Sequence, residues 1–280
     1  MKKPQFIALS AGVIICTILY FFVPRTNKKE GSNDNKSIEN QAINSQSLLE
    51  SAKTALSANQ KITLLSIENQ LTRSKSIADS LLAYKNLSQF WADSVHRIEP
   101  YLYYTYSAAL LENSEKSLTF AAQQLIDNLL TPDAPPALQT WMAGNAKVLL
   151  EKALVINPNN DSAKINLGAC YLFGNISDNP MQGILKVKEV ADKNPHNAYA
   201  QLILALGGKK SGQYAKAIER FLAVLKEQPN HIEAMVNLAE CYELSDQKKL
   251  AIEWYTKVKQ IVSIPEAKQA LDQRIKELKK

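Results

Sequence analysis

Residues 198–265 consist of two consecutive units of 34 residues, and this repeat constrains the fold more than any other feature of the chain. Ala217 and Ala251 stand 34 apart, as do Phe221 and Tyr255. The first unit carries Leu204, Ala205, Gly212, Tyr214, Ala217, Ile218, Phe221 and Pro229. The second carries Leu238, Ala239, Tyr242, Ala251, Tyr255 and Pro265. A fixed period of this length means that each unit is one supersecondary element. It cannot bury its apolar face alone and must stack on copies of itself.

The rest of the chain agrees with helix. Only 9 of the 280 residues are Gly, and most of the 11 Pro fall between periodic segments. Segments rich in Leu, Ala, Lys, Glu and Gln favour helix, and no run of alternating β-branched residues reads as a strand. Residues 45–71 carry Leu48, Leu49, Ala52, Ala55, Leu56, Ile62 and Leu65 close to one stripe, which predicts a first helix. A helical face follows at Ile77, Leu81, Tyr84, Leu87, Phe90 and Trp91. Pro100 sits near the start of the next helix, where a missing N–H costs nothing. Tyr101, Tyr103, Tyr104 and Tyr106 cover more than one face of that helix, so some are expected to be exposed. A further helix carries Leu118, Ala121, Ala122, Leu125 and Leu129, and the proline turn at 131–136 ends it.

Four units resemble the tetratricopeptide repeat, whose pattern is W-x2-L-G-x2-Y followed by A-x3-F-x2-A-x4-P. The first unit matches in its second half, at Ala146, Leu150, Ala153 and Pro158, with its first helix displaced by the proline turn. The second has Leu167, Gly168 and Tyr171, then three extra residues in the turn at 174–180, and resumes at Gly183, Val187, Val190 and Pro195. The third and fourth are 198–231 and 232–265. Residues 266–280 place Leu271, Ile275 and Leu278 on one side, as a polar-faced cap would. The resemblance implies an all-α solenoid of antiparallel helix hairpins. Its repeats span 137–265, with diverged hairpins over 45–136.

Residues 1–44 are of another kind. Residues 6–23 form 18 positions without a charge, about 27 Å of helix and enough to cross a bilayer core. Tyr20, Phe21 and Phe22 end the run where interfacial aromatics belong. Residues 1–24 therefore read as a single transmembrane anchor. A cleaved signal would need a shorter core and small residues before the cut, where this run meets bulky aromatics and Pro24. Ile14 and Ile15 before Cys16 argue against a lipoprotein signal. Lys2 and Lys3 face Arg25, Lys28 and Lys29 across the run, which nearly balances the two orientations. The habit of short amino-terminal anchors places the domain on the periplasmic or extracytoplasmic side. The Asn-, Ser- and Lys-rich residues 25–44 read as a flexible polar tether. Anchor, tether and repeat domain together resemble bacterial envelope tetratricopeptide proteins, among them assembly factors for cytochrome c and a partner of the secretion translocon.

In this family the first helix of each hairpin lines a concave groove. Carried onto this chain, the groove comprises Ser162, Ile165, Ala169, Leu172 and Phe173, then Tyr199, Leu202, Leu206, Lys209 and Lys210, then Glu233, Val236, Glu240, Glu243 and Leu244. It would be apolar in the middle, basic at one point and acidic at its far end, which suits a protein or peptide client with apolar anchors. Asn166 and Asn237 occupy positions used by family members that clamp a carboxyl terminus. Tyr199 and Ile203 stand where the basic partners would be, so no clamp is expected. The alternative is a structural or self-associating protein, a homodimer for example, with the tyrosine-rich helix as its contact.

Chemistry is sparse. The three histidines are separated in sequence, and only His96 and Glu99 could meet on one helical turn. No phosphate loop or nucleophile elbow is present, so neither a catalytic site nor a cofactor or metal is expected. Cys170 and Cys241 occupy the same position of different repeats and read as core. The net charge of +6 is spread among acidic residues at helical spacing, which speaks against a nucleic-acid surface.

Overall fold

The computed structural model describes residues 43–131, 134–177 and 179–280. The anchor at residues 6–23 and the tether up to residue 42 lie outside the described residues, as does Cys16. Among the described residues no helix is long and apolar enough to cross a membrane.

The described residues are helical, with no strand among them. The helices are α1 (Ser45–Thr54), α2 (Ala58–Arg73), α3 (Ile77–Gln89), α4 (Ile98–Glu112), α5 (Glu115–Leu129), α6 (Pro136–Ile156), α7 (Asp161–Phe173), α8 (Met181–Lys193), α9 (Ala198–Lys210), α10 (Tyr214–Glu227), α11 (Ile232–Leu244), α12 (Lys248–Ile261) and α13 (Pro265–Leu278). They pack as successive antiparallel hairpins: α3 with α4, α5 with α6, α7 with α8, α9 with α10 and α11 with α12, closed by α13. The first helices of neighbouring hairpins also meet, α5 on α7, α7 on α9 and α9 on α11. This is a tetratricopeptide-type solenoid.

Local sequence explains the regularity. Asn160, Asn197 and His231 each follow a repeat-closing proline by two residues and cap the next helix. Each side chain accepts the backbone N–H of the third helical residue, Ala163, Ala200 or Ala234. The turns inside the hairpins share a left-handed residue at one repeat position: Asn175 (φ 52°), Gly212 (φ 74°) and Asp246 (φ 59°). Asn, Gly and Asp are the residues that tolerate this conformation best. The longer turn at 174–180 accommodates the inserted residues without moving that site.

Within each hairpin the crossing is set by small side chains. Ala205, Ala217, Ala239 and Ala251 are fully buried. Where α7 crosses α8 the small residues are glycines. A Cβ on Gly168 would lie 2.3 Å from Val187 Cγ2, and one on Gly183 would lie 2.4 Å from the Gly168 carbonyl oxygen.

Three expectations are corrected. Residues 45–71 are two helices, because Ser57 and Gln60 form a capping box that starts α2 after a break at 55–57. The first helix of the first well-matched hairpin is α5, which packs antiparallel to the long α6 across the proline turn. The tyrosines of α4 are not exposed. Tyr104 is buried with Leu49, Leu87 and Trp91, and Tyr101, Tyr103 and Tyr106 are half-buried. Tyr103 and Tyr104 meet edge to face at 5.1 Å, and the Tyr101 hydroxyl donates to Gln124 Oε1 at 3.1 Å.

The end of α3 departs from α-geometry. A π-helical segment, Phe90–Val95, turns both Phe90 and Trp91 inward and ends at His96, whose φ is 57°. His96 and Glu99 are therefore not on one helical turn. Ser45 Oγ accepts the Trp141 indole N–H at 2.9 Å and ties α1 to α6.

The two glycine environments predict opposite signs for one substitution. Gly183→Ala places a methyl against backbone and should destabilise by roughly 1–3 kcal/mol, reduced by the better helix propensity of Ala. Gly144→Ala, in mid-helix of α6 with nothing within 4 Å of the new Cβ, should stabilise by roughly 0.5–1 kcal/mol. Urea unfolding of both variants tests this, and a common sign would refute the packing account.

Candidate functional site

Helices α7, α9 and α11 carry the positions assigned to a groove, and the structure divides them into two groups. Ile165, Ala169, Leu172 and Leu202 are buried between neighbouring helices. Small residues cause this: Leu172 lies over Gly207, whose Cβ position is 3.5 Å from Leu172 Cδ1. Phe173, Tyr199, Leu206, Lys209, Val236, Glu240 and Glu243 are half-buried, while Ser162, Lys210, Glu233 and Leu244 are exposed.

A polar chain crosses the middle of this face. Asn166, 2% exposed, donates through Nδ2 to Gln123 Oε1 at 2.7 Å and accepts the Tyr199 hydroxyl on Oδ1 at 2.6 Å. It therefore joins α5, α7 and α9. Burial pushes the Tyr199 phenol up to about 12, so it remains a donor. Asn237 is also engaged: Oδ1 accepts from Lys209 Nζ at 2.7 Å, and Nδ2 donates to the Glu233 carbonyl at 2.9 Å. Lys209 also pairs closely with Glu240. Glu243 pairs with Arg274 of α13 and accepts the Tyr255 hydroxyl at 3.2 Å, which ties the cap to the last hairpin. The two asparagines are thus committed inside the molecule.

What stays open lies at the carboxyl-terminal ends of these helices. A hollow of about 370 Å³ is bounded by Leu129, Leu130 and Gln139 on one side and by Phe173, Leu206, Lys209, Lys210, Asn237 and Leu244 on the other. Lys210 Nζ donates to the Leu172 carbonyl at 3.0 Å and lies 5.5 Å from the centre of the Phe173 ring. Burial lowers the pKa of this lysine.

A larger cleft of about 670 Å³ opens between α3 and α5, floored by α4. Phe120, 55% exposed, stands at its edge with Lys116, and an ion pair between Lys85 and Glu112 (3.0 Å) spans one end. Of the residues lining this cleft the sequence pattern marks only Tyr101 and Ala108, as part of a helical face, and does not reveal the opening itself. An aromatic residue at an otherwise polar position of α5 is the signal that could have found it.

Apart from the exposed His96, the remaining histidines and cysteines are engaged or buried. His196 Nδ1 lies 2.7 Å from Glu227, and His231 serves as a helix cap. Cys170 and Cys241 are buried free thiols, which burial pushes up to about 12 and about 11. Among the described residues no cluster of three or more metal-ligating side chains occurs.

Comparison with curated proteins gives no match. The family model described as the tetratricopeptide repeat matches residues 210–273, from the end of α9 into α13. Similar solved structures include residues 41 to the end of MamA from Desulfovibrio magneticus RS-1, at 23% identity and a TM-score of 0.45, covering 66% of this chain and 97% of that one. A crystal structure of MamA protein has 16% identity and a TM-score of 0.44, covering 65% and 92%. YrrB, described as a TPR protein with an unusual peptide-binding site, has 18% identity and a TM-score of 0.43, covering 69% and 92%.

Two outcomes follow from the buried groups. Asn166→Leu leaves the Tyr199 hydroxyl and Gln123 without their partner and should cost roughly 1–3 kcal/mol in urea unfolding. A neutral result would mean that the chain across the helices is not formed. The Cys170, Cys241 and Tyr199 shifts are all upward, so the folded state holds protons that the unfolded state releases. Their contribution is complete below the unfolded pKa values and is lost as pH rises through the folded ones. Urea midpoints should therefore fall as pH rises through the interval from 9.0, the ordinary thiol value, to about 12. A flat profile there would contradict the burial of these groups.

Proposed function

We propose that the chain is a non-enzymatic interaction scaffold that holds a client polypeptide against the first helices of its hairpins, close to a membrane. The hollow at the ends of α5, α7, α9 and α11 is the observation that carries this reading. It presents half-buried and exposed apolar side chains (Phe173, Leu206, Leu244) beside a lysine, the mixed surface that peptide anchors need. The middle of the face contributes less to client contact on this reading, because Ile165, Ala169, Leu172 and Leu202 are used in packing. Residues 6–23 would anchor the chain in the bilayer and residues 25–44 would give the domain its reach, with the domain on the extracytoplasmic side. The tucked-in tyrosines of α4 give self-association through that helix little support.

The test is site-specific photocrosslinking of the full chain in native membranes. A photoreactive residue at Leu206 or Val236 should trap a heterologous polypeptide, and the same residue at Val155, 83% exposed on α6, should not. Products containing only two copies of this chain would favour the self-associating alternative. Equal trapping at Val155 would remove the basis for a client face. Retention in the membrane pellet after carbonate washing, and loss of it on deletion of residues 1–24, checks the anchor.

A further inference from the structure

Lys209 and Lys210 are adjacent, line the same hollow and differ in one respect. Lys209 is neutralised by Glu240 and bonded to Asn237. The Lys210 ammonium has no carboxylate within ion-pair distance among the described residues; its protein partner is the Leu172 carbonyl. That carbonyl belongs to the last turn of α7 and has no partner within its helix, so the bond fixes where the ammonium stands. An ammonium has three donors, and this contact uses one. Lys210 is exposed as a residue, but its ammonium is partly shielded where it meets the Leu172 carbonyl and the Phe173 ring, and this partial desolvation lowers its pKa. Beside it are the ring of Phe173 and the side chains of Leu206 and Leu244, the last 54% exposed. The volume, about 370 Å³, is at the small end of the ~300–1,000 Å³ typical of ligand pockets.

We propose that this hollow reads an acidic–apolar pair in the client: Lys210 takes the side-chain carboxylate of one Asp or Glu, and a neighbouring aliphatic or aromatic residue packs on Phe173, Leu206 and Leu244. The inference rests on the client-face reading above. A chain terminus would bring the same two carboxylate oxygens, and comparison of free-carboxyl with amidated peptides separates the two sources. Of the two lysines lining the hollow, Lys209 is already paired with Glu240 and Lys210 is not paired among the described residues, so the site offers a cation to one acidic residue and not to an acidic run.

A positional-scanning library of amidated nonapeptides, offered to the full chain in detergent, tests this. Asp or Glu next to Leu or Phe should be enriched. Lys210→Met should weaken the selected peptide roughly tenfold or more, the usual range for a hydrogen bond to a charged group. Lys210→Glu should switch the preference to Lys or Arg, an outcome that a merely structural lysine would not produce. Circular dichroism and urea midpoints confirm that the variants fold. Binding that is abolished by Leu206→Glu but indifferent to Lys210→Met and Lys210→Glu overturns the inference and leaves the client face standing. Failure of the library to bind at all removes both. Tighter binding of free-carboxyl than of amidated peptides would assign the lysine to a chain terminus and overturn the side-chain assignment.

Discussion

The close approach of the two helices in each hairpin depends on having a methyl group or less at the crossing. Interiors are packed to crystal density, so a single extra carbon at Gly168 or Gly183 would collide with a backbone or Cγ atom already in place. Where alanine serves instead, at Ala205, Ala217, Ala239 and Ala251, it is fully buried. Bulky neighbours such as Phe221, Leu238 and Tyr255 then fill the space around the crossing. The caps at Asn160, Asn197 and His231 and the left-handed turn residues at 175, 212 and 246 fix where each helix starts and turns. The crossings fix how far apart the helices lie. Together they make each hairpin superimpose its chemistry on the next.

The same closeness decides which part of the inner face can bind anything. Side-by-side packing of α5, α7 and α9 buries Ile165, Ala169 and Leu172, and the chain from Gln123 through Asn166 to Tyr199 satisfies the polar atoms between them. A buried hydrogen-bonded network of this kind is costly to open, because each group exposed to an imperfect partner loses desolvation energy. A peptide competing for that stretch would have to displace an interior already complete. At the carboxyl-terminal ends of the helices the situation differs. Lys209 and Lys210 cannot be buried as Ile165 and Leu172 are, since burying a charge is far more costly than burying a methylene. The face therefore stays open where its lysines lie.

Much of this was legible beforehand, for a physical reason. A 34-residue period can be read from residues 198–265 because each repeat solves the same packing problem with the same residue sizes. The exact match of Ala217 to Ala251 and of Phe221 to Tyr255 reflects one crossing geometry. Other features were not visible because they arise between segments. The burial of Ile165 and Ala169 depends on the spacing of α5, α7 and α9, and the pattern of any one helix does not report it. The break between α1 and α2 was within reach, since Ser57 and Gln60 have capping-box spacing. The apolar stripe running through Ala55 and Leu56 concealed it. The tyrosines of α4 cover several faces because that helix is packed on several sides, against α3, α5 and α1. An all-round aromatic pattern signalled burial, not exposure.

The amino-terminal hairpin shows what happens when the repeat rule lapses. The π-helical turns at 90–95 rotate Phe90 and Trp91 into the cluster formed with Leu49, Leu64 and Tyr104. No packing comparable to that of α5 on α7 joins α3 to α5, and the cleft beside Phe120 is the result. That cleft is larger than the lysine-lined hollow, yet it carries less information about an occupant. Its Lys85 is already paired with Glu112, and its remaining charges, Asp93 and Lys116, are of opposite sign and are not held by a buried backbone contact, so they select weakly for the sign of an occupant. An uncompensated charge held in place by a backbone carbonyl selects for sign as well as shape. For that reason the smaller opening, not the larger, is where specificity for a client would reside.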